Sequence, residues 1–449
     1  MGARSQPISL SALSYSIGKE LARQVFQEIM AAIEVRHAML RRIKLQDGTL
    51  AAGSASLPLA RPPRVVALGK AANRMATTLD EILDGRIESG VIVSPTEITH
   101  KLERFQYFVG GHPYPNQGSW QGADAALELL SGLTPDDTVI YLISGGGSAL
   151  FEKPLDPAVS LADLFELNRV LVGCGLPIEQ INVVRKHLSA VKGGRLAARA
   201  CPARQLTIYI SDVPEQFPSM VASGPTMADE SAVEECYAIA EKSSLISKLP
   251  PSIRKHFESK SLEETLKPGD ARFANSSYYC LLSNRDAVEA AVAAGEKLGF
   301  TTQGDPGVWD APFREVVDAG LTRLGALRAL HPGQAVCLVQ GGEVICPVTG
   351  LGSGGRNQAF VLYAAQRIAG QKRVVLSAGT DGRDGNSPAS GAIADGQTIV
   401  RAAALGLDAD AYMKESDSYH FFCSLGDTLD TGFTDNNVRD VRLLLDFGV

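Results

Sequence analysis

Short runs of aliphatic and β-branched residues recur along this chain, and most are followed by a glycine-rich turn and a longer stretch of helical periodicity. Val65 to Leu68, Gly90 to Val93, Thr138 to Ile143 and Leu206 to Ile210 form one set. Tyr278 to Leu282, Ala335 to Val339, Glu343 to Val348 and Val374 to Ser377 form a second. A continuous apolar run needs cover on both faces, and strands separated by helices pair in parallel through crossovers. The alternation therefore predicts two α/β domains with mainly parallel sheets. A length of 449 residues accommodates both. The Lys-, Ser-, Glu- and Pro-rich stretch 241–270 predicts the division near residue 250, giving domains 1–250 and 251–449. Before the first strand, Leu21, Val25, Ile29, Ile33 and Leu40 fall at helical spacing, with Ser11 or Ser14 as a candidate cap. The sequence leaves open which domain this leading helix joins. Asp47 to Arg61 has no periodicity and reads as a loop.

Charge and cysteine usage narrow the class. Lys plus Arg number 43 against 50 Asp plus Glu, a net charge of −7, and no basic block exceeds Arg41-Arg42. A nucleic-acid face needs clustered cations, so that class is excluded. Nor does any apolar stretch approach the roughly 18 residues of a membrane span. The seven cysteines lie at least nine residues apart, without metal-ligand spacing, and read as reduced thiols. These features predict a cytoplasmic protein, monomeric or homodimeric. The Ser-rich, acid-free start Met1 to Gly18 is a weak signal for mitochondrial targeting.

Ligands of open parallel sheets bind beyond the carboxyl ends of the strands, so the residues there carry the functional signal. The first strand runs into Gly69-Lys70, a lysine opposed to the helix dipole that follows; its other reading is an exposed solubilising side chain. The third runs into Ser144-Gly145-Gly146-Gly147-Ser148, where three glycines let backbone amides curl around an anion. No Walker A motif occurs. Residues 182–195 hold Arg185, Lys186, His187, Lys192 and Arg195 and read either as a basic face beside an anionic ligand or as a solvated helix face. Asp212 follows the fourth strand as a candidate metal ligand, general base or helix cap. In the second half, Asn284 and Glu343 follow strands, and Gly350 to Gly355 lead into Arg356-Asn357, a guanidinium suited to carboxylate or phosphate. Asp381 and Asp384 follow another strand, compatible with a hard cation or a plain acidic turn. No acid sits at the end of the following strand in the place a dinucleotide fingerprint requires. Together these features suit chemistry on phosphates, where catalysis is positioning and charge neutralisation.

The ordered motifs VVALGKAANRM, GGHPYPNQGS, LISGGGSALFEKP, INVVRKHLSAVKGGRLA, YISDVP, ASGPT, LSNRDA, GGE, GLGSGGRNQ and SAGTDGRDG resemble those of the class II glycerate kinases, the glycerate 2-kinase or MOFRL family. The resemblance runs from about residue 15 to the C-terminus. It implies two α/β domains flanking a cleft and phosphorylation of D-glycerate at its 2-hydroxyl, with ATP and Mg²⁺. On this resemblance Lys70 and Arg356 are the catalytic pair, Asp212 is the candidate for Mg²⁺ ligation or for accepting the hydroxyl proton, and Asp381 supports the metal. Ser144, Gly145, Gly146, Gly147, Ser148, Arg185, Asn284, Glu343 and Asn357 are the candidate substrate and nucleotide contacts. Three loops depart from the family pattern: Asn386 to Ser390, where Pro388 replaces an acid; Thr431 to Val438; and Glu215-Gln216 after Val213-Pro214. Two rival readings accompany it, a hydroxypyruvate reductase and an inactive regulator that binds nucleotide or acid.

Overall fold

The computed structural model describes residues 14–307 and 311–448. Most of the segment read for targeting, residues 1–13 with Ser11, lies outside the described residues. The chain divides into two compact units, one of residues 35–281 and one of residues up to 34 together with 282–449. Each is an α/β layered structure.

The first unit is built on a six-stranded sheet. Its strands are β1 (Arg64–Leu68), β2 (Ser89–Ser94), β3 (Phe105–Val109), β4 (Thr138–Ile143), β5 (Arg204–Ile210) and β6 (Ser276–Leu282), in the order β3-β2-β1-β4-β5-β6. The pairings β1–β2, β2–β3, β1–β4 and β4–β5 are all parallel. Strand order reverses direction between β1 and β4, which makes the gap beyond their carboxyl ends a topological switch point. Val66, Leu68, Val91, Val93, Val139, Tyr141 and Ile143 form the core on one face, against Ala123, Ala126 and Leu130. Helix α2 (Ala72–Ile82) follows β1, and α3 (Gln117–Leu129) covers β2 and β3. Within the stretch 47–61 read as a loop, Thr49–Ala52 and Ala55–Pro58 are strands that complete a three-stranded antiparallel meander with Ile43–Gln46. Its signal was the Asp47-Gly48 pair, with φ of 48° and 73°, the two positive values that a tight hairpin turn requires.

The expected break near residue 250 falls inside this unit. The polar stretch is a covering helix and loop rather than a linker: helix Pro251–Glu258 buries Ile253 and Phe257 against Leu164, Leu171 and Ile239. Tyr278 to Leu282, grouped with the second set from sequence, is the edge strand of the first sheet.

The second unit holds β7 (Thr301–Asp305), β8 (Val336–Gln340), β9 (Arg373–Gly379), β10 (Gly391–Asp395), β11 (Thr428–Leu429) and β12 (Asp440–Asp446), in the order β7-β8-β12-β9-β10-β11. Only β7–β8 is parallel; the C-terminal strand β12 enters antiparallel between β8 and β9, so this sheet is mixed. The expected strand at 343–348 shrinks to Val344–Ile345. The leading helix α1 (Tyr15–Ala32) belongs to this unit, packing on α7 (Asn284–Lys297) and β9. Ser14 is its cap, accepting the Ile17 N–H at 3.3 Å. Buried Lys19 holds both carboxylate oxygens of Asp427 at 2.7 Å.

Candidate active site

In the first unit the switch point is assembled by backbone bonds between neighbouring strand ends. Ser144 N–H donates to Leu68 O at 3.0 Å, Lys70 N–H to Gly145 O at 3.0 Å, and Ala71 N–H to Ser144 Oγ at 2.9 Å. Gly69 makes this approach sterically feasible: at φ 110° it takes a conformation side chains avoid, and a Cβ there would lie 2.4 Å from Ser144 O. Lys70 and the Ser144 to Ser148 loop are thus one constellation. Gly146 is left-handed (φ 84°) and heads the short helix α4 (Gly147–Leu150). A Cβ on Gly147 would stand 2.5 Å from Ala222 Cβ and 2.6 Å from Leu68 Cδ1.

Behind the loop lies a strained turn that the motif reading quoted without assigning it a role. Ala222 and Ser223 sit at φ 51° and 61° although neither is glycine. Non-glycine residues there cost on the order of 1 kcal/mol or more each and collect at functional sites. Ser223 Oγ donates to Asn182 Oδ1 at 3.0 Å and lies 2.8 Å from Ser148 Oγ. Asn182 is on α6 (Ile178–Leu188), one turn before Arg185.

The basic run is not a solvated face, because Arg185, Lys186, His187 and Lys192 are all buried. Three of the four are internally matched. Lys186 pairs with Asp229 at 3.0 Å, and His187 bridges Val183 O at 2.8 Å and Glu264 at 3.0 Å. Lys192 meets Glu152 at 2.5 Å, and Glu152 also accepts from Ser189 Oγ at 2.5 Å. Arg185 differs: it is 7% exposed, and its Nε has no hydrogen-bond partner among the described residues. Burial holds its pKa below the usual arginine value, opposed by the Glu152 charge. A buried donor without a partner is costly, and an anion would relieve that cost. Asp212 follows β5, half-buried.

The second unit brings Arg356 and Glu343 together and adds Asp440, absent from the sequence-derived candidates. Arg356 heads α9 (Arg356–Arg367); its Nε and Nη2 grip Asp440 at 2.6 and 3.0 Å, and Nη2 also meets Glu343 at 2.8 Å. The arginine side chain is 36% exposed and Asp440 only 1%. Burial works against the charge, but the two carboxylates overcome it and hold the guanidinium protonated. Fully buried Arg442 donates to Gly341 O at 2.9 Å and Gly342 O at 3.0 Å, and burial pushes its pKa down to about 10. Asn284 ties the same turn, donating to Val438 O at 2.8 Å and Asp440 O at 3.0 Å while accepting Gly342 N–H at 2.9 Å. Its amide holds backbone in place.

Asp384, not Asp381, fixes the N-terminus of α9. Its oxygens accept Asn357 N–H at 3.0 Å and Gln358 N–H at 2.8 Å, and burial pushes its pKa up to about 7. Asn357 is buried between Asp384 at 3.2 Å and Ser377 Oγ at 2.5 Å, so it anchors the helix start. Asp381 lies in the preceding turn, half-buried, and accepts Arg383 N–H at 3.1 Å. One of the departing loops, Thr431 to Val438, meets this turn. Thr434 Oγ1 donates to Thr380 O at 2.6 Å, and the Arg383 guanidinium lies 4.7 Å from the ring centre of exposed Phe433. Among the described residues no group of three or more His, Cys, Asp or Glu is placed to hold a metal ion, and no helix is long and apolar enough to cross a membrane.

A family model described as MOFRL family matches residues 336–440, and one described as a domain of unknown function (DUF4147) matches residues 21–258. The chain belongs to this family. It is 34% identical to the glycerate 2-kinase of Pyrococcus horikoshii over 95% of this chain and 97% of that protein. With the D-glycerate 2-kinase of Thermotoga maritima it shares 36% identity over 84% of this chain and 89% of the relative. The human glycerate kinase is 31% identical over 95% of this chain and 92% of that one. A crystal structure of the Thermotoga maritima glycerate kinase superposes with a TM-score of 0.82 at 32% identity, covering 96% of this chain and all of that one (100%).

Proposed function

We propose that this protein transfers the γ-phosphoryl group of ATP to the 2-hydroxyl of D-glycerate, giving 2-phosphoglycerate and ADP. The observation that carries the reading is Lys70 bonded through its N–H to Gly145, because it sets a cation at the mouth of a glycine loop at the sheet's switch point. The loop amides around Gly145 to Ser148 cradle phosphate oxygens, and the Lys70 ammonium neutralises charge on the transferring group. Arg185, buried and without a partner at Nε among the described residues, donates to a further anionic oxygen. Arg356 takes an oxygen of the acceptor's carboxylate or of the phosphate. Asp440 keeps it charged and oriented, while partly exposed Glu343 occupies the guanidinium edge that such an oxygen would use. Asp212 accepts the hydroxyl proton as the new O–P bond forms and the bond to the β-phosphate oxygen breaks.

A half-buried carboxylate at a strand end suits Mg²⁺ carried mainly by phosphates and water. Asp212 would hold that ion, which would supply charge neutralisation on the phosphates.

Two relatives from Agrobacterium vitis, 35% and 34% identical, carry the name putative hydroxypyruvate reductase, so the test has two arms. D-glycerate-dependent release of ADP from ATP and Mg²⁺ is the expected result. Loss of NADH absorbance on adding hydroxypyruvate, without ADP release, would replace the kinase reading by the reductase.

A further inference from the structure

The GGHPYPN segment shapes a cavity that none of the residues assigned above explains. It lies within the first unit and has a volume of about 570 Å³, lined among others by His112, Tyr114, Asn116, Leu161, Ala162 and Phe165. Phe165 projects from α5 (Leu161–Gly173) with 43% of its surface exposed, which is unusual for a large apolar side chain flanked by buried Leu164 and Leu167. Its ring lies 5.1 Å from that of Tyr114, centre to centre, at 57°. Two aromatic faces at one mouth, with prolines and aliphatics behind them, suit a flat heteroaromatic ring. Glycerate, with a carboxylate and two hydroxyls, would find few hydrogen-bond partners there.

The cavity is joined to the glycine loop. A Cβ on Gly110 would lie 2.4 Å from Leu150 O in the helix that the loop begins, so the two segments pack backbone to backbone. Gly111 N–H donates to Ser119 Oγ at 2.9 Å, and Asn116 Oδ1 accepts Ser119 N–H at 2.9 Å, which fixes the segment to the start of α3. His112 spans the remaining gap: a Cβ built on Gly146 would be 3.5 Å both from His112 Cδ2 and from Lys70 Cγ. The glycine loop and the cavity are thus neighbours within one unit, as a molecule with phosphates at one end and a planar apolar group at the other requires.

Resting on the kinase reading, we propose that the adenine ring of ATP occupies this cavity, stacked on Phe165 and Tyr114, with His112 flanking the link between base and phosphates. Exposed Gln117, in the first turn of α3, stands at the rim with an amide able to meet the edge of the base. Base–aromatic stacking then supplies affinity that the phosphates alone lack.

The test is equilibrium binding of ATP and of inorganic tripolyphosphate, each with Mg²⁺, to the full chain and two variants. Removing the exposed ring in Phe165→Ala is expected to weaken ATP about tenfold and to leave tripolyphosphate within twofold. Ala162→Trp, at an exposed helix position, sets an indole in the cavity and is expected to cut the advantage of ATP over tripolyphosphate about tenfold, with an unchanged melting temperature. Equal losses for both ligands, or no loss for ATP in either variant, would overturn the assignment. A wild-type protein that binds no ATP would overturn it together with the kinase reading. ATP binding that depends on Phe165, in a protein that does not phosphorylate glycerate, supports the cavity assignment and sinks only the choice of acceptor.

Discussion

Asp440→Asn tests the arginine cluster of the second unit most sharply. The carboxylate is 1% exposed, bonds Arg356 at 2.6 Å, and stands 3.7 Å from the fully buried guanidinium of Arg442. Neutralising it leaves two cations sharing Glu343, itself 27% exposed, and turns an amide toward donors that need an acceptor. Breaking one side of a buried ion pair costs about 3–5 kcal/mol. Because Arg356 is 36% exposed, water recovers part of that, and the lower end, about 3 kcal/mol, is the expectation. For a cooperative unit of this size that is a fall in Tm of about 6–12 °C, readable by calorimetry. Turnover should fall by roughly two orders of magnitude, since the guanidinium loses its orienting partner. In a double-mutant cycle with Arg356→Gln, the two changes should be strongly non-additive. A Tm within about 2 °C of wild type, or additive effects in the cycle, would refute the argument that Asp440 is what holds Arg356.

Three further outcomes follow from the geometry. Lys70→Ala should lower kcat by about a hundredfold or more with thermal stability nearly unchanged, because the backbone N–H that bonds Gly145 is retained; most activity surviving would remove the ammonium from the mechanism. Gly147→Ala places a methyl 2.5 Å from Ala222 Cβ and should cost about 1–3 kcal/mol, with weakened anion binding; a stable, fully active variant would mean that the strained turn yields easily. Asp384, with its pKa pushed up to about 7 by burial, binds its proton more tightly folded than unfolded. Stability should therefore fall as pH rises from about 4 to about 7 and level off above, and Asp384→Asn should flatten that slope in denaturant titrations.

The positions that mattered at strand ends were legible because glycine is costly unless geometry demands it. Gly69, Gly146 and Gly147 each prove to need a left-handed backbone or a close approach. Lys70 and Arg356 stood out as cations at helix starts, where a structural role favours acids. The acids that organise the second unit were harder to see. Asp440 opens the apolar strand β12, which enters its sheet from the far end of the chain, and its partner Arg356 lies 84 residues away. Asp384 and Asp381 looked equivalent as a pair in one turn; only the approach of α9 singles out Asp384 as the cap. The strain at Ala222 and Ser223 carries no compositional mark, since neither residue type favours positive φ. The buried basic run was ambiguous for a related reason: Asp229, Glu152 and Glu264, which bury it, come from three separate segments.

The product formed from D-glycerate decides the reaction. Incubation with ATP and Mg²⁺, followed by ³¹P NMR to separate the two phosphoglycerates, is predicted to yield 2-phosphoglycerate with one ADP per product. Formation of 3-phosphoglycerate would contradict the assigned regiochemistry. No phosphoglycerate from folded protein that binds ATP would contradict glycerate as the acceptor.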